Sequence, residues 1–136
     1  MKTSILVGVA LLVCGAAANA DRPPPHEPAR PCTTGTCFIN VTVKEPADSN
    51  SKCTVQVDTP TASTNASVVV VWIVNTDDYV FASDGIVFDK PDQFDQLQRP
   101  KPNEIRMRDK HTEMGDYYYM VKVAGCEPLD PYIRNN

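Results

Sequence analysis

The chain predicts an all-β fold, a single antiparallel β-sandwich of about seven short strands with one short helical turn near residues 91–97. Three observations carry this. Apolar and polar residues alternate with a period of two over most of the chain, and proline- and aspartate-rich turns separate the alternating runs. The cysteines left after a removable leader are even in number, as in a disulfide-tied extracytoplasmic domain.

In chain order, Met1–Ala20 has one charge (Lys2), an apolar run Ile5–Val13 and the small-residue ending Ala18-Asn19-Ala20. That order is a secretory signal peptide with an Ala-x-Ala cleavage site, too short to be a comfortable membrane span. Cys14 as a lipid-attachment site is the competing reading. Val13 before it is β-branched where such sites carry a small residue, and the downstream cleavage site would then be superfluous. Residues 21–36 open with Asp-Arg-Pro-Pro-Pro-His-Glu-Pro-Ala-Arg-Pro, which has no large apolar residue to bury and predicts an extended, disordered leader. The sandwich is expected over residues 37–136.

Within it, Phe38–Lys44 alternates as a half-buried strand, and Glu45–Ser51 has turn chemistry. Cys53–Val57 is a second strand, and Asp58–Asn65 a Pro/Thr/Ser loop. Ser67–Val74, apolar on both faces, reads as a central strand. Tyr79–Phe81 and Gly85–Phe88 are short strands on either side of an Ala-Ser-Asp-Gly turn. Pro91 near a first helical position, Asp92 beside it, and Phe94 and Leu97 three apart predict the helical turn. Glu104–Arg108 and Asp116–Val123 alternate again, and the tail from Cys126 is irregular. Trp72 and a strand-end disulfide are expected to share the core.

The 136 residues carry a formal net charge of −4, and −5 once Lys2 leaves with the signal. An acidic single domain of this kind lacks the basic patch that nucleic acid or an anionic membrane surface requires. No membrane partner is expected after signal cleavage, and no span follows, because the run Val68–Val74 is far too short. Cys32, Cys37, Cys53 and Cys126 allow three pairings. The favoured one joins Cys32 to Cys37 and Cys53 to Cys126. The second bridge closes a loop of about 70 residues and contributes on the order of 4 kcal/mol. No zinc-type spacing is present.

Chemistry-bearing residues are sparse. Ser83, Asp84 and His111 are the only ingredients for a Ser-His-Asp site, and Ser83 lacks a nucleophile elbow. Asp77, Asp78, Asp84, Asp89, Asp92 and Asp95 offer oxygen ligands, but Asp89, Asp92 and Asp95 recur every three residues, as turn and helix-start acids do. Met107, His111, Met114 and Met120 offer soft copper ligands, two of them at strand positions that read as core filler. No catalytic, metal or cofactor site is therefore assigned. Asn40-Val41-Thr42 and Asn65-Ala66-Ser67 fit the N-glycosylation pattern, relevant only to a eukaryotic source.

Val70-x-Trp72-x-x-Asn75 followed by Gly115-x-Tyr117-x-Tyr119 resembles the strand framework of cupredoxin-like and Ig-like sandwiches. The resemblance implies that fold and, in its copper-binding members, a histidine, cysteine and methionine ligand set. Here Tyr79 and Val80 stand at the first histidine's place, Val121 stands at the cysteine's, and no histidine follows. The ending Asp130-Pro131-Tyr132-Ile133 is similar to that of small exported bacterial proteins of no assigned function.

The expectation is thus a secreted or periplasmic, non-enzymatic binding or structural accessory module without a cofactor, its partner an unidentified protein or small ligand and its oligomeric state open. Its contact loops are Asp77–Gly85 and Asp109–Gly115, with Asp77, Asp78, Tyr79, Asp84 and His111 as binding-loop residues, because loops carry function on a rigid scaffold. The alternatives are a copper- or calcium-binding protein, an inhibitor of an extracellular enzyme, and a small hydrolase using His111.

Overall fold

Alternation delivers strands where it is regular. In a computed structural model of the chain, describing residues 29–32 and 35–136, eleven strands follow one another. They are β1 (Arg30–Pro31), β2 (Thr36–Lys44), β3 (Cys53–Val57), β4 (Thr61–Thr64), β5 (Val68–Val74), β6 (Phe81–Phe88), β7 (Phe94–Lys101), β8 (Glu104–Asp109), β9 (Gly115–Val123), β10 (Cys126–Glu127) and β11 (Tyr132–Asn135). They form a five-stranded sheet in the order β1-β4-β11-β9-β6 and a six-stranded sheet in the order β10-β3-β2-β5-β8-β7. The expected signal peptide lies outside the described residues, as do residues 21–28 and 33–34 of the expected leader; the first described strand starts at Arg30.

The sandwich is confirmed, but it is neither seven-stranded nor purely antiparallel. The pairs β1/β4, β10/β3, β11/β4 and β2/β5 are parallel. After the β2–β3 hairpin the chain crosses to the other sheet for β4 and returns for β5, so β5 re-enters beside β2 in the same direction. The additional strands come from segments without an alternation signal. Thr61–Thr64, expected as loop, has three of its four residues buried, and threonine's β-branched carbon suits a pleated surface. The helical turn near 91–97 is one 3₁₀ turn, Pro91–Gln93, which gives way to β7. That strand is nearly all exposed and lies at a sheet edge, where Pro100 removes no needed ladder donor.

The Ala-Ser-Asp-Gly turn is also corrected: residues 82–85 lie within β6, which slips register against β9 between Phe81 and Ile86. Gly85 is there for space. A Cβ at this position would stand 2.7 Å from Phe81 Cβ and 2.8 Å from Ile105 Cδ1.

The inward faces meet in one core in which Ile39, Val41, Val70, Trp72, Tyr119 and Val121 are completely covered. Trp72 sets its ring edgewise against Phe88 and Tyr119, and Phe88 stacks on Phe94 at 3.6 Å. Both favoured disulfides are present. Cys53–Cys126 ties β3 to β10 at the margin of this core, and Cys32–Cys37 ties the entry segment to β2. At the edge away from β1, Arg99 on β7 donates to the carbonyls of Phe81, Ala82 and Pro102, joining the two sheets.

Candidate binding groove

Where β5 ends, Asn75-Thr76-Asp77-Asp78 reverses the chain. Asn75 N bonds Val41 O at 2.9 Å, and Thr76 Oγ1 accepts from Val43 N at 2.8 Å, so the turn is fixed to β2 from both sides. Asn75 Nδ2 adds a 2.6 Å bond to Asn40 Oδ1. Asp78 sits at φ 68°, the left-handed region that aspartate tolerates better than most side chains. Opposite, the Pro102-Asn103 turn between β7 and β8 docks on the same end: Val74 N bonds Asn103 O, and Asn103 Nδ2 returns to Val74 O.

Between these two turns lies an open groove of about 540 Å³. Its walls are the 74–80 segment and Pro102-Asn103, combining the apolar Val80 and Pro102 and the half-buried Tyr79 with the exposed carboxylates of Asp77 and Asp78. The Tyr79 hydroxyl donates to Glu45 Oε1. That bond, then burial and the charges of Glu45 and Asp78, hold the phenol proton on and raise its pKa. No nucleophile–base pair lines the groove. Its one hydroxyl besides Tyr79, on Thr76, is occupied by the Val43 amide.

Of the expected binding-loop residues, Asp77, Asp78 and Tyr79 converge here, while Asp84 and His111 do not. Asp84 lies on β6 and pairs with Lys122 at 2.8 Å, an interaction that lowers its carboxyl pKa. His111 is at the opposite end of the sandwich, since Val68 opposes Asp109 and Ile73 opposes Glu104 across β5 and β8. Its Nε2 lies 3.1 Å from Thr64 O, which can only accept, so that nitrogen carries a proton. Ser83, Asp84 and His111 are therefore not assembled into a catalytic site.

Sequence reasoning missed Asn103, whose role comes from a turn far along the chain, and a polar cluster around His111. There Asp109 is fully buried. It accepts from Asn135 Nδ2 at 3.1 Å, from His111 N at 3.0 Å and more weakly from Thr64 Oγ1. Burial pushes its carboxyl pKa up, against the opposing effect of those donors and of His111. Gln93, also buried, accepts from Thr112 N and Glu113 N. Every one of these contacts serves the fold, and the cluster reads as a structural clasp.

Neither metal constellation converges. Asp95 is held by two bonds to Arg108, Met107 and Met120 lie on different sheets, and Met114 is 76% exposed. Among the described residues no three His, Cys, Asp or Glu side chains form a group able to hold a metal ion, and no helix is long and apolar enough to cross a membrane.

No family model and no curated protein matches the chain. Among solved structures it is distantly similar to the copper protein rusticyanin, at a TM-score of 0.35 and 15% identity, over 78% of this chain and 81% of that one.

Proposed function

We propose that the chain is an exported, non-enzymatic binding module, secreted or periplasmic, that holds a protein or small ligand in the groove between the 74–80 and 102–103 turns. The observation that carries this reading is the convergence of Asp77, Asp78 and Tyr79, singled out as binding-loop residues, on one groove fixed to the sheets by main-chain bonds. A rigid concavity with an apolar wall and a few free polar groups is the usual form of a binding site. Export is supported by the charged, apolar and small-residue order of Met1–Ala20 and by two disulfides, which persist in oxidising compartments.

Val80 is 40% exposed on the groove wall, so Val80→Arg fills the groove without touching the core. Bait protein incubated with the exported fraction of its source should retain its bound species as wild type and lose them as Val80→Arg. Asp84→Ala, away from the groove, should retain them. Equal retention by Val80→Arg would remove the groove from the reading.

A further inference from the structure

The central strand of the six-stranded sheet is apolar on a face that no described residue covers. β5, Val68–Val74, is an unbroken run of seven apolar residues. Such a run belongs to a strand buried on both faces. Val70 and Trp72 lie in the core, so Val69, Val71 and Ile73 point out of the sandwich. By the same alternation Ile39 and Ile105 face the core, while Phe38 on β2 and Arg106 and Arg108 on β8 face out. Phe38 is 53% exposed and Val69 38%, on adjacent strands of one face. Two large apolar side chains left in water side by side point to a missing neighbour.

The register says which neighbour. It sets the outward side chains in rows across the sheet. One row reads Phe38, Val71, Arg106 and Gln98, and the next reads Thr36, Val69, Arg108 and Asp95. In the first, a β-branched centre has an aromatic ring on one flank and a guanidinium on the other. A two-fold axis laid along β5 exchanges the flanks. It brings Phe38 of one copy over Arg106 of the second, and the valines of the two central strands together. A guanidinium over an aromatic ring is a favourable pair, and one pleated face packs on another about 10 Å away. The face is its own complement, as an isologous interface requires.

Charge permits the same contact. The carboxylates of this face are each matched by an arginine: Glu104 with Arg106 at 2.7 Å, Asp95 with Arg108 at 2.6 Å and, at the margin, Asp58 with Arg30 at 3.5 Å. The acidic excess behind the chain's net charge of −4 therefore lies elsewhere, and two copies meet here without like-charge repulsion. The face is also large enough. From β3 across β2, β5 and β8 to β7, over the length of β5, it measures about 24 by 23 Å, roughly 550 Å² on each copy. Both copies together exceed the ~1,000 Å² of a specific interface.

We propose that the outer face of the six-stranded sheet, centred on Val71, is the interface with a second copy of the chain, Phe38 of each copy seated over Arg106 of the other. Because the axis runs along β5, the 74–80 turns of both copies lie at the same end of the dimer. The interface does not depend on what the groove binds.

The test is the mass of the chain from Asp21 to Asn136 by sedimentation equilibrium at rising concentration. A monomer–dimer equilibrium is expected. Phe38→Lys sets a cation against Arg106 of the second copy and should raise the dissociation constant at least about tenfold, with an unchanged far-ultraviolet circular dichroism spectrum. Arg106→Ala, on the opposite flank, should weaken the dimer about tenfold and serves as the second readout if Phe38→Lys does not fold. Val87→Lys, exposed on the other sheet, should dimerise as wild type does. A monomer at every concentration up to about 1 mM would overturn the proposal. So would a dimer that Phe38→Lys and Arg106→Ala leave intact, or one that Val87→Lys dissociates, which would assign the contact to the five-stranded sheet.

Discussion

At one end of the sandwich Thr64, Asp109 and Asn135 bond to one another, and Gln93 beside them holds the backbone of the loop after β8; at the other, Asp77 and Asp78 leave their carboxylates in solvent. The two ends are joined by β5 and lie about 20 Å apart. Their sequences look alike, each an acidic turn after a strand. They differ in cover: β4 and β11 bring Thr64 and Asn135 over Asp109, while nothing described crosses Asp77 and Asp78. A buried carboxylate must be satisfied by its neighbours, so its surroundings become committed to structure. An exposed one remains available to a ligand.

The sharpest way to break this contrast is Asp109→Ala. It strands Asn135 Nδ2 and the His111 amide, and should cost about 2–4 kcal/mol, lowering Tm by roughly 10–20 °C in thermal unfolding. A loss below about 0.5 kcal/mol would show the clasp to be dispensable.

Asp109→Asn is expected to be milder and dependent on pH. The folded pKa of Asp109 is raised, so the fold favours the protonated form. The stability this contributes is fully present below the unfolded carboxylate value, near 3.9, and is lost as pH rises through the folded value. An amide does not titrate and can donate to Thr64 Oγ1. The stability of wild type relative to Asp109→Asn should therefore fall between acid and neutral pH, as read from denaturant unfolding at several pH values. A difference independent of pH, or one growing with pH, would contradict the burial argument.

The smallest effect is expected in the groove. Asp78→Asn keeps a side chain at ease in the left-handed region and should change stability by less than about 0.5 kcal/mol. A loss of 2 kcal/mol would place this end, too, in the service of the fold.

Much of the fold was legible because half-buried strands write their faces into the sequence. Phe38–Lys44, Cys53–Val57 and Asp116–Val123 alternate, and each is a strand. Thr61–Thr64 was illegible because its buried residues are threonines and an alanine, covered through contacts far along the chain. Tyr132–Asn135 was illegible because four residues carry too little periodicity, although it lies between β4 and β9. The turn predicted at Gly85 failed for another reason: glycine serves tight turns and tight packing alike, and only the approach of Phe81 and Ile105 tells them apart. In the groove, Asp77, Asp78 and Tyr79 could be found as one turn, whereas Asn103 required knowing which turns share an end.

The place of β11 also sets a time order. Tyr132–Asn135 is inserted between β4 and β9, some 70 residues downstream of its parallel partner, so the five-stranded sheet has no continuous middle until nearly all of the chain is present. Such long-range parallel pairing is slow to form and comes late. A chain released from its N-terminus onward is therefore, until β11 emerges, a polymer still unable to close its own sheet.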